Sequence, residues 1–375
     1  MPPRLGIYVH VPFCSVRCGY CDFNTYTATE LGGGGAISQF ADQAIAEIAL
    51  AARRLGPRPV DTVFFGGGTP TMLPPADLIR ILAAIEQHLG LRTDAEVTTE
   101  ANPDSVNSVG LEQLRAGGFN RISFGMQSAI PHVLQVLERT HAPERVPVAV
   151  AWARAAGFEQ VSLDLIYGTA GESHQDWQDS LQAALSCTPD HVSAYSLIVE
   201  SGTRLARQVR KGLVAPPDDD DLAEKYLIAD DLLSAAGFSW YEISNWARGS
   251  AARCRHNELY WRSEDWWGVG PGAHSHLAGE RWWNLKHPSA YAASLAGGQQ
   301  PVAGRETLDQ QMKTMEQVML GIRLREGLGT ASLDQARVND LLARGLLEVS
   351  ATKPHRVVLT RTGRLLGDAV ARELV

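Results

Sequence analysis

The chain has 375 residues, with 34 Lys plus Arg against 42 Asp plus Glu and a formal net charge of −8. This length exceeds the usual size of one hydrophobic core and predicts a large domain followed by a smaller one. The acidic balance, without any basic stripe, argues against nucleic acid as a partner. No apolar stretch approaches the roughly 18 to 20 residues of a spanning helix, and residues 1–5 do not resemble a signal peptide. We therefore expect a cytoplasmic protein, for which any membrane association is peripheral.

Short β-branched runs alternate with longer amphipathic segments, a pattern typical of repeated βα units with a parallel sheet. The predicted strands are residues 5–9, 62–65, 96–99, 121–124, 161–166, 191–196 and 240–243. The predicted helices are residues 38–55, 76–88, 111–116, 146–156 and 176–184. Six βα units indicate an α/β fold, either a partial TIM-type barrel or a doubly wound sheet, and periodicity alone does not separate the two.

The pattern changes beyond about residue 300. The segments expected there are helices at 310–323 and 333–342, a strand-turn-strand at 343–349 and 356–360, and a last helix at 363–374. This order predicts a small α+β domain of winged-helix type, and we place the two domains at residues 1–290 and 291–375. Because the small domain carries no basic patch, we expect it to be a cap or a docking surface for a partner. The acidic run at 218–221 is expected at a helix N-terminus, where it suits the helix dipole.

Three cysteines, Cys14, Cys18 and Cys21, lie on a short segment directly after the first predicted strand. Three thiolates can hold three irons of a 4Fe-4S cluster and leave the fourth iron open to a ligand. A four-cysteine zinc site needs a second pair of thiolates and a ferredoxin-type cluster needs a fourth, whereas Cys187 and Cys254 are isolated. Five unevenly spaced cysteines also argue against disulfides. The segment therefore predicts an open 4Fe-4S cluster.

Polar and glycine residues fall at the ends of the next four predicted strands. A glycine loop at 66–71 follows the second strand, Glu100 ends the third, Gln127 follows the fourth and Asp164 lies in the fifth. In a barrel of parallel strands, these ends meet at one face. Four such positions in succession predict a ligand site there, although each alone is compatible with a polar group that is merely hydrogen-bonded.

The C-x3-C-x2-C spacing, with Tyr20 before the third cysteine, resembles the radical S-adenosylmethionine superfamily. The resemblance implies an open (β/α)6 barrel, which selects the partial barrel over the doubly wound sheet. It further implies that the open iron binds S-adenosylmethionine and that the reactive chemistry belongs to these cofactors. Tyr20 is then counted among the cofactor-binding residues.

Over roughly the first 290 residues, the strand-end residues resemble the subgroup that contains oxygen-independent coproporphyrinogen III oxidase. The resemblance implies that Tyr8 packs on the cluster side and that Gly67, Gly68 and Thr69 line the methionine end of S-adenosylmethionine. It also implies that Glu100 accepts hydrogen bonds from the ribose hydroxyls, a natural role for a strand-end carboxylate.

Four more positions carry roles implied by this subgroup. Gln127, Arg139 and Asp164 correspond to residues that hold a second molecule of S-adenosylmethionine, which allows such a site here. His274, in the glycine-rich segment 268–276, corresponds to a residue that contacts the adenine or its linker. A Gly-Pro-Gly turn without any ligand remains an equal alternative for that segment.

Two departures from the oxidase pattern indicate a particular branch. The oxidase carries a fourth cysteine two residues after the third, whereas Cys21 is followed here by Asp22 and Phe23. The oxidase also has a long segment before its cluster motif, whereas Cys14 is close to the start of this chain. Both differences resemble the HemW type, a family of haem chaperones.

An aromatic region supports the same branch. Seven of the nine tryptophans lie between residues 240 and 283, and the block 256–261 resembles the H-N-x-x-Y-W motif implicated in haem binding in that family. Aromatic walls and one nitrogen ligand suit a planar apolar macrocycle with a central iron. His256 is the predicted axial ligand of haem iron, with Cys254 as a competing soft ligand. The alternative is that these side chains are ordinary core.

The resemblance thus implies a haem chaperone of radical S-adenosylmethionine fold that delivers haem to acceptor proteins, respiratory haem enzymes above all, with residual or no catalytic turnover. The first alternative is a coproporphyrinogen III dehydrogenase that removes propionate carboxyl groups by radical chemistry. A second alternative, from another class, is a nucleic-acid modifier that binds through the wing, which salt-dependent binding would reveal.

Overall fold

The computed structural model describes residues 4–31 and 35–375. Residues 1–3 and 32–34 lie outside the described residues. Residues 1–3 belong to the N-terminal segment in which the sequence predicts no signal peptide. The first half of the fold alternates strands with helices: β1 (Leu5–Val11), α1 (Gly35–Leu55), β2 (Val60–Gly67), α2 (Pro75–Leu89), β3 (Leu91–Ala101), α3 (Ser108–Ala116), β4 (Arg121–Gln127), α4 (Pro131–Val136), α5 (Arg145–Ala155), β5 (Gln160–Tyr167), α6 (His174–Ser186) and β6 (His191–Ser196).

The second half contains shorter elements and then a separate small sheet. These elements are α7 (Arg204–Arg210), α8 (Asp219–Ala235), β7 (Ser239–Glu242), β8 (Asn245–Ala247), α9 (Arg255–Trp261), β9 (Asp265–Val269), β10 (His274–Leu277), β11 (Glu280–Asn284), α10 (Pro288–Ala296), β12 (Val302–Thr307), α11 (Gln310–Gly321), β13 (Leu328–Gly329), α12 (Gln335–Ala343), β14 (Leu347–Val349), β15 (Arg356–Leu359), α13 (Arg361–Leu365) and α14 (Gly367–Leu374). The acidic run at 218–221 caps α8, as predicted, and Asp218 accepts from the backbone of Asp221 at 3.0 Å.

A twelve-stranded sheet dominates the fold, in the order β12-β11-β10-β9-β1-β2-β3-β4-β5-β6-β8-β7. Strands β9 and β1 to β6 are parallel, and the flanking strands are antiparallel. Strands β1 to β6 follow one another without a reversal of order, which is the winding of a barrel and not of a doubly wound sheet. The sheet stays open between β7 and β12. The predicted partial (β/α)6 barrel is therefore confirmed, and β9 adds a parallel strand that the sequence did not predict.

Alternation along the strands separates the core from the barrel interior. Ile7 and Val9 in β1 and Leu163 in β5 are buried in the main hydrophobic core, under the helices. Their neighbours Tyr8 and Asp164 point the other way and line a cavity inside the barrel. The strands that were recognised by their apolar runs thus also place polar side chains at alternate positions facing the interior.

The C-terminal region has a core of its own, which begins with Val318 and Ile322 and includes Val357 and Val370. Helices α11 and α12 precede the predicted strand pair β14 and β15, and the short strand β13 adds a third strand, in the order β13-β15-β14. The predicted helix 363–374 is divided at Leu366 into α13 and α14. The predicted domain boundary at residue 290 falls within α10. Strand β12 follows that boundary in the chain and still belongs to the large sheet. The position of the boundary therefore stays a prediction. No helix within residues 4–31 and 35–375 combines the length and apolar character required to cross a membrane.

A buried ion pair joins the small domain to the barrel. Arg364 of α13 donates two hydrogen bonds to Asp230 of α8, at 2.8 and 2.6 Å, and the indole of Trp246 donates to the same carboxylate at 3.0 Å. The guanidinium of Arg364 also lies 4.6 Å from the ring of Trp240 and 5.5 Å from the ring of Tyr226. Removal of one partner from such a pair leaves a buried charge without compensation.

We expect Asp230→Ala to lower the free energy of unfolding by about 3 to 5 kcal/mol, because the charge of Arg364 would remain buried without a counterion. Asp231→Ala is the matched control, since Asp231 is exposed and pairs with Arg361 at 2.7 Å on the surface; a loss below about 1 kcal/mol is expected there. Urea unfolding measures both. Equal losses in the two variants would contradict a special role for the buried pair.

Candidate functional site

A cavity of about 630 Å³ lies inside the barrel, where the carboxyl ends of the parallel strands meet. A volume of this order suits a cofactor or another small molecule. Nearly all of the predicted site residues come together around it, although their individual roles stay predictions: Tyr8, Cys14, Cys18, Tyr20, Cys21, Gly67, Gly68, Thr69, Glu100, Gln127, Arg139, Asp164 and His256. Of the predicted set, only His274 does not line the cavity.

The three cysteines are half-buried on the loop that follows β1. The hydroxyl of Thr69 lies 3.8 Å from Cys14 Sγ, and Nη1 of Arg139 lies 3.8 Å from Cys18 Sγ, both placed to donate to sulfur. Within the described residues, no three His, Cys, Asp or Glu side chains converge on a single metal ion. A four-iron cluster does not need such convergence, since each thiolate binds a different iron. Three thiols around one cavity, with two flanking donors, fit that group.

The cysteine loop is held from both sides. The side-chain amide of Asn24 donates to the carbonyl of Pro271 after β9, at 3.0 Å, and to that of Lys286 after β11, at 2.9 Å. On the other side, the backbone amide of Leu205 in α7 donates to the carbonyl of Gly19 at 2.9 Å. Segments that are distant in the chain therefore fix the loop over the cavity.

The glycine loop after β2 packs directly against β1. Gly67 has a φ of +103°, and a β-carbon there would overlap the ring of His10. His10 donates from Nε2 to the carbonyl of Asn24 and accepts at Nδ1 from the hydroxyl of Tyr8, both at 2.9 Å. Burial lowers the pKa of His10, so the ring is neutral, as one donor and one acceptor nitrogen require. Only glycine gives the loop this close approach.

Two carboxyl groups stand at the polar floor of the cavity. Glu100 accepts from the amide of Gly67 at 3.1 Å, and Asp164 accepts from the hydroxyl of Ser123 at 2.8 Å. Burial and the nearby charge of Asp164 raise the pKa of Glu100 to about 8, and burial raises the pKa of Asp164 as well. Such a pair can accept hydrogen bonds from hydroxyl groups and can stabilise a bound cation.

Gln127 and Arg139 converge beside this pair. Gln127 has a φ of +62°, a rare backbone conformation for a residue with a side chain. The side-chain nitrogen of Gln127 lies so close to Gly125 that a β-carbon added there would be only 2.9 Å from it. The carbonyl of Gly125 accepts a hydrogen bond from Arg139 Nη2 at 2.9 Å. Arg139 Nε is buried without a hydrogen-bond partner in the described part of the chain. The guanidinium therefore keeps one buried donor without a partner among the described residues.

His256 is packed deep in the barrel, with 1% of its surface exposed. Its Nδ1 lies 2.7 Å from the hydroxyl of Thr62, its Nε2 lies 2.8 Å from the hydroxyl of Tyr260, and its ring stacks on Phe64 at 5.2 Å. Burial lowers its pKa to about 3, so the ring is neutral. Coordination of iron would require one of these two hydrogen bonds to break. The role of His256 as an iron ligand stays a prediction.

The two other residues predicted from the aromatic region lie at different places in the fold. His274 stacks on Trp283 at 5.9 Å, on the surface side of the sheet. Cys254 is buried, and its Sγ lies 3.8 Å from a carboxylate oxygen of Glu96. Cys254 does line the cavity wall.

The structure also adds residues that the sequence reasoning missed. His191, Ser193 and Tyr195 line the cavity from alternate positions of β6. The sequence signal that could have identified them is the polar residue at every second position of a buried strand, since such residues share one face. Glu47, buried in α1, had no such signal, because a glutamate in an amphipathic helix suggests a solvent-exposed face.

Glu47 fixes the glycine-rich segment after β9. It accepts hydrogen bonds from the amide of Gly270 at 2.8 Å, from the side chain of Asn284 at 2.7 Å and from the hydroxyl of Tyr291 at 2.6 Å. Burial raises its pKa to about 7. Gly270 in turn lies against the carbonyl of His10, at a φ of +108°. The carboxyl group thus braces the backbone that supports the cysteine loop.

The sequence matches one family profile and is similar to several known proteins, three of which follow. The profile of the Radical SAM superfamily matches residues 8–184. Heme chaperone HemW of Mycobacterium tuberculosis is 50% identical, over 99% of this chain and 94% of the relative. Heme chaperone HemW of Bacillus subtilis is 33% identical, over 97% of both chains. The mitochondrial radical S-adenosyl methionine domain-containing protein 1 of Bos taurus is 35% identical, over 94% of this chain and 75% of that one.

Among solved structures, coproporphyrinogen III oxidase (HemN) from Escherichia coli superposes with a TM-score of 0.86, over 100% of this chain and 90% of that one. At 22% identity, this likeness shows the common fold alone. Sequence identity of 50% over 99% of the chain is stronger evidence of family membership than a shared fold. The chain belongs to the HemW family within the radical SAM superfamily.

Proposed function

We propose that the protein is a haem chaperone, which binds haem and delivers it to acceptor proteins. The observation that carries this proposal is the 50% identity with a curated heme chaperone across 99% of the chain. The geometry agrees, because the cysteine loop and a large cavity lie together at the open end of the barrel. The acceptors that we propose are respiratory haem enzymes, and any association of the protein with the membrane is peripheral in this proposal.

The residues of the cavity divide into groups that suit the two resident cofactors of this superfamily. We propose that Cys14, Cys18 and Cys21 hold a 4Fe-4S cluster. Around S-adenosylmethionine we place Tyr8, Tyr20, Gly67, Gly68, Thr69 and Glu100, with Gln127, Arg139 and Asp164 available to a second molecule. When bound, the cluster and S-adenosylmethionine supply one-electron chemistry. The chain contributes the donors that orient them, among which Thr69 and Arg139 approach the sulfurs and Glu100 faces the cavity.

The competing function is that of a coproporphyrinogen III oxidase. The solved oxidase has the same fold, but a shared fold alone does not assign an activity. This chain has Phe23 at the position where the oxidase motif carries its fourth cysteine, and Phe23 is exposed at the cavity mouth. We therefore propose that the protein does not convert coproporphyrinogen III.

The cluster proposal predicts about four irons per chain after anaerobic reconstitution. Replacement of Cys14, Cys18 and Cys21 together by Ala should abolish the sulfur-to-iron absorption, because the three thiolates are the ligands. Cys187→Ala is the matched control and should keep the full iron content, since Cys187 lies at the end of α6, away from the cavity lining. Iron and sulfide analysis measures both. A normal cluster in the triple variant would refute the assignment.

The cofactor proposal predicts that Glu100→Gln weakens the binding of S-adenosylmethionine by about 1 to 3 kcal/mol. The positive charge of the bound cofactor favours the ionised carboxylate of Glu100, and the variant loses the charge-assisted hydrogen bond from that carboxylate to the ribose. Equilibrium dialysis on the reconstituted protein measures the affinity. Asp94→Asn provides the control, because Asp94 lies on the same strand but is exposed, and its affinity should be unchanged. Equal affinity in wild type and Glu100→Gln would remove Glu100 from the binding site.

The chaperone proposal predicts a saturable shift of the Soret band when haem is titrated into the reconstituted protein. The same preparation, with cluster content and binding of S-adenosylmethionine verified, should form no protoporphyrinogen from coproporphyrinogen III. Product analysis by chromatography tests the second expectation. Efficient turnover of coproporphyrinogen without haem binding would replace the chaperone function by the oxidase function.

A further inference from the structure

A buried arginine lies at the deep end of the cavity. Arg121 is the first residue of β4, and it lines the cavity with 2% of its surface exposed. Gln127, the last residue of the same strand, lines the cavity as well. Because the barrel strands are parallel and the cysteine loop follows the carboxyl end of β1, the cavity extends through the barrel from that loop down to Arg121.

The charge of Arg121 has no close counterion. Within residues 4–31 and 35–375 it forms no ion pair, and its one hydrogen bond runs from Nη1 to the carbonyl of Ala252, at 2.8 Å. A guanidinium has five N–H donors. Arginine is almost never fully buried unless it is paired, because burial removes the hydration of its charge. One backbone carbonyl does not compensate a buried cation, so this position favours an anion.

The carboxyl groups nearest to this charge are engaged by other donors. Glu96 and Asp164 act on Arg121 through space only. Glu96 accepts from two backbone amides at the start of α9, at 3.0 and 2.9 Å. Asp164 accepts from the hydroxyl of Ser123 at 2.8 Å, and burial raises its pKa, which favours the neutral acid. Neither group therefore neutralises Arg121 by direct contact.

A second polar group beside Arg121 also lacks a partner. Thr98 in β3 is paired with Arg121 across the two strands, and it lines the cavity. It is fully buried, and its hydroxyl has no hydrogen-bond partner in the described part of the chain. Since Thr98 precedes Glu100 by two residues, it lies on the same face of the strand, one layer deeper. Two adjacent buried groups with unused donors indicate a ligand that is not part of the chain.

The neighbouring side chains do not repel an anion. Ser162 and His191 line the cavity and lie 2.7 Å from each other, and burial lowers the pKa of His191, so that its ring is neutral. Burial raises the pKa of the Cys254 thiol to about 12, and that of Glu100 is about 8. Both are therefore largely protonated at neutral pH, and the positive charge of Arg121 is left available.

We propose that Arg121 and Thr98 form a binding site for a carboxylate group at the deep end of the cavity. A planar guanidinium matches a carboxylate with two parallel hydrogen bonds, and the hydroxyl of Thr98 donates a third. The site lies deeper than Glu100, which we assign to the S-adenosylmethionine beside the cluster. It therefore serves a ligand, or a part of a ligand, further from the cluster.

Two ligands of the proposed function carry a suitable carboxylate, and the inference rests on that function. One is the cargo haem, whose propionates extend beyond the edge of the ring. The other is a second molecule of S-adenosylmethionine, whose methionine moiety ends in a carboxylate. The recognition chemistry is the same for both, and esterified haem separates the two sources.

Titration of the reconstituted full chain with haem, with haem dimethyl ester and with S-adenosylmethionine tests this site. The ester has the same ring and iron but no free carboxylate. Arg121→Gln keeps a donor for the carbonyl of Ala252 and removes the charge, and we expect it to weaken binding of the carboxylate ligand at least about tenfold. Thr98→Val keeps the shape and removes the hydroxyl, and a loss of about two- to tenfold is expected.

Two further measurements separate binding from a structural role. Arg115→Gln is the control for loss of an arginine, since Arg115 lies in α3, pairs with Glu159 at 2.8 Å outside the cavity lining, and should bind as wild type does. Thermal unfolding without ligand should show an equal or higher midpoint for Thr98→Val, because its hydroxyl has no partner to lose. A lower midpoint together with unchanged affinity would assign Thr98 to the structure alone and refute the site.

The outcomes are distinct for each source. If the variants weaken haem but not its ester, the carboxylate is a propionate; if they weaken S-adenosylmethionine or reduce the number of molecules bound, it is that of the cofactor. Unchanged affinity for both ligands in Thr98→Val and in folded Arg121→Gln would refute the site, although the chaperone function stands. Thr98→Val alone decides if Arg121→Gln does not fold. If wild type binds no haem, the chaperone function fails, whereas weaker binding of the cofactor in the variants would still support the site.

Discussion

The close approach of two glycine loops to β1 is the contact on which the rest of the site depends. Gly67 lies against the ring of His10 and Gly270 lies against its carbonyl, both at positive φ, and a β-carbon at either position would overlap it. Because β1 pairs in parallel with both β2 and β9, the two loops leave the sheet at the same edge and close on the same residue. The backbone that leads from β1 to Cys14 is therefore clamped, and a cluster ligand can be held in place without a fourth cysteine.

Electrostatics divide the cavity into two parts. At the floor, burial and the nearby charge of Asp164 raise the pKa of Glu100 to about 8, so that Glu100 is largely protonated at neutral pH. A bound cation would favour the ionised carboxylates, and the floor thus responds to a charged cofactor. At the mouth, the side chains of Phe23 and Ile198 are exposed and apolar. The two parts suit ligands of different chemistry.

Much of the fold could be predicted from the sequence, because the buried parallel strands are apolar runs separated by amphipathic helices. Strand β6 was predicted at its observed bounds, and β1 to β5 within a few residues. Strand β9 was missed, since its two tryptophans suggested a ligand wall and not a seventh parallel strand, and β10 to β12 have no clear alternation. Glu47 could not be found in advance, because its three partners come from a loop, a strand and a helix more than 220 residues away.

The same limit applies to the haem ligand. A motif shows that a histidine is present, but only the fold shows whether its nitrogens are available, and those of His256 are both hydrogen-bonded in the interior. A macrocycle placed among the floor groups would separate buried donors and acceptors from their partners, at a cost of about 1 to 3 kcal/mol for each group left unpaired. Coordination of haem iron by His256 would therefore have to outweigh the loss of one of its two buried hydrogen bonds.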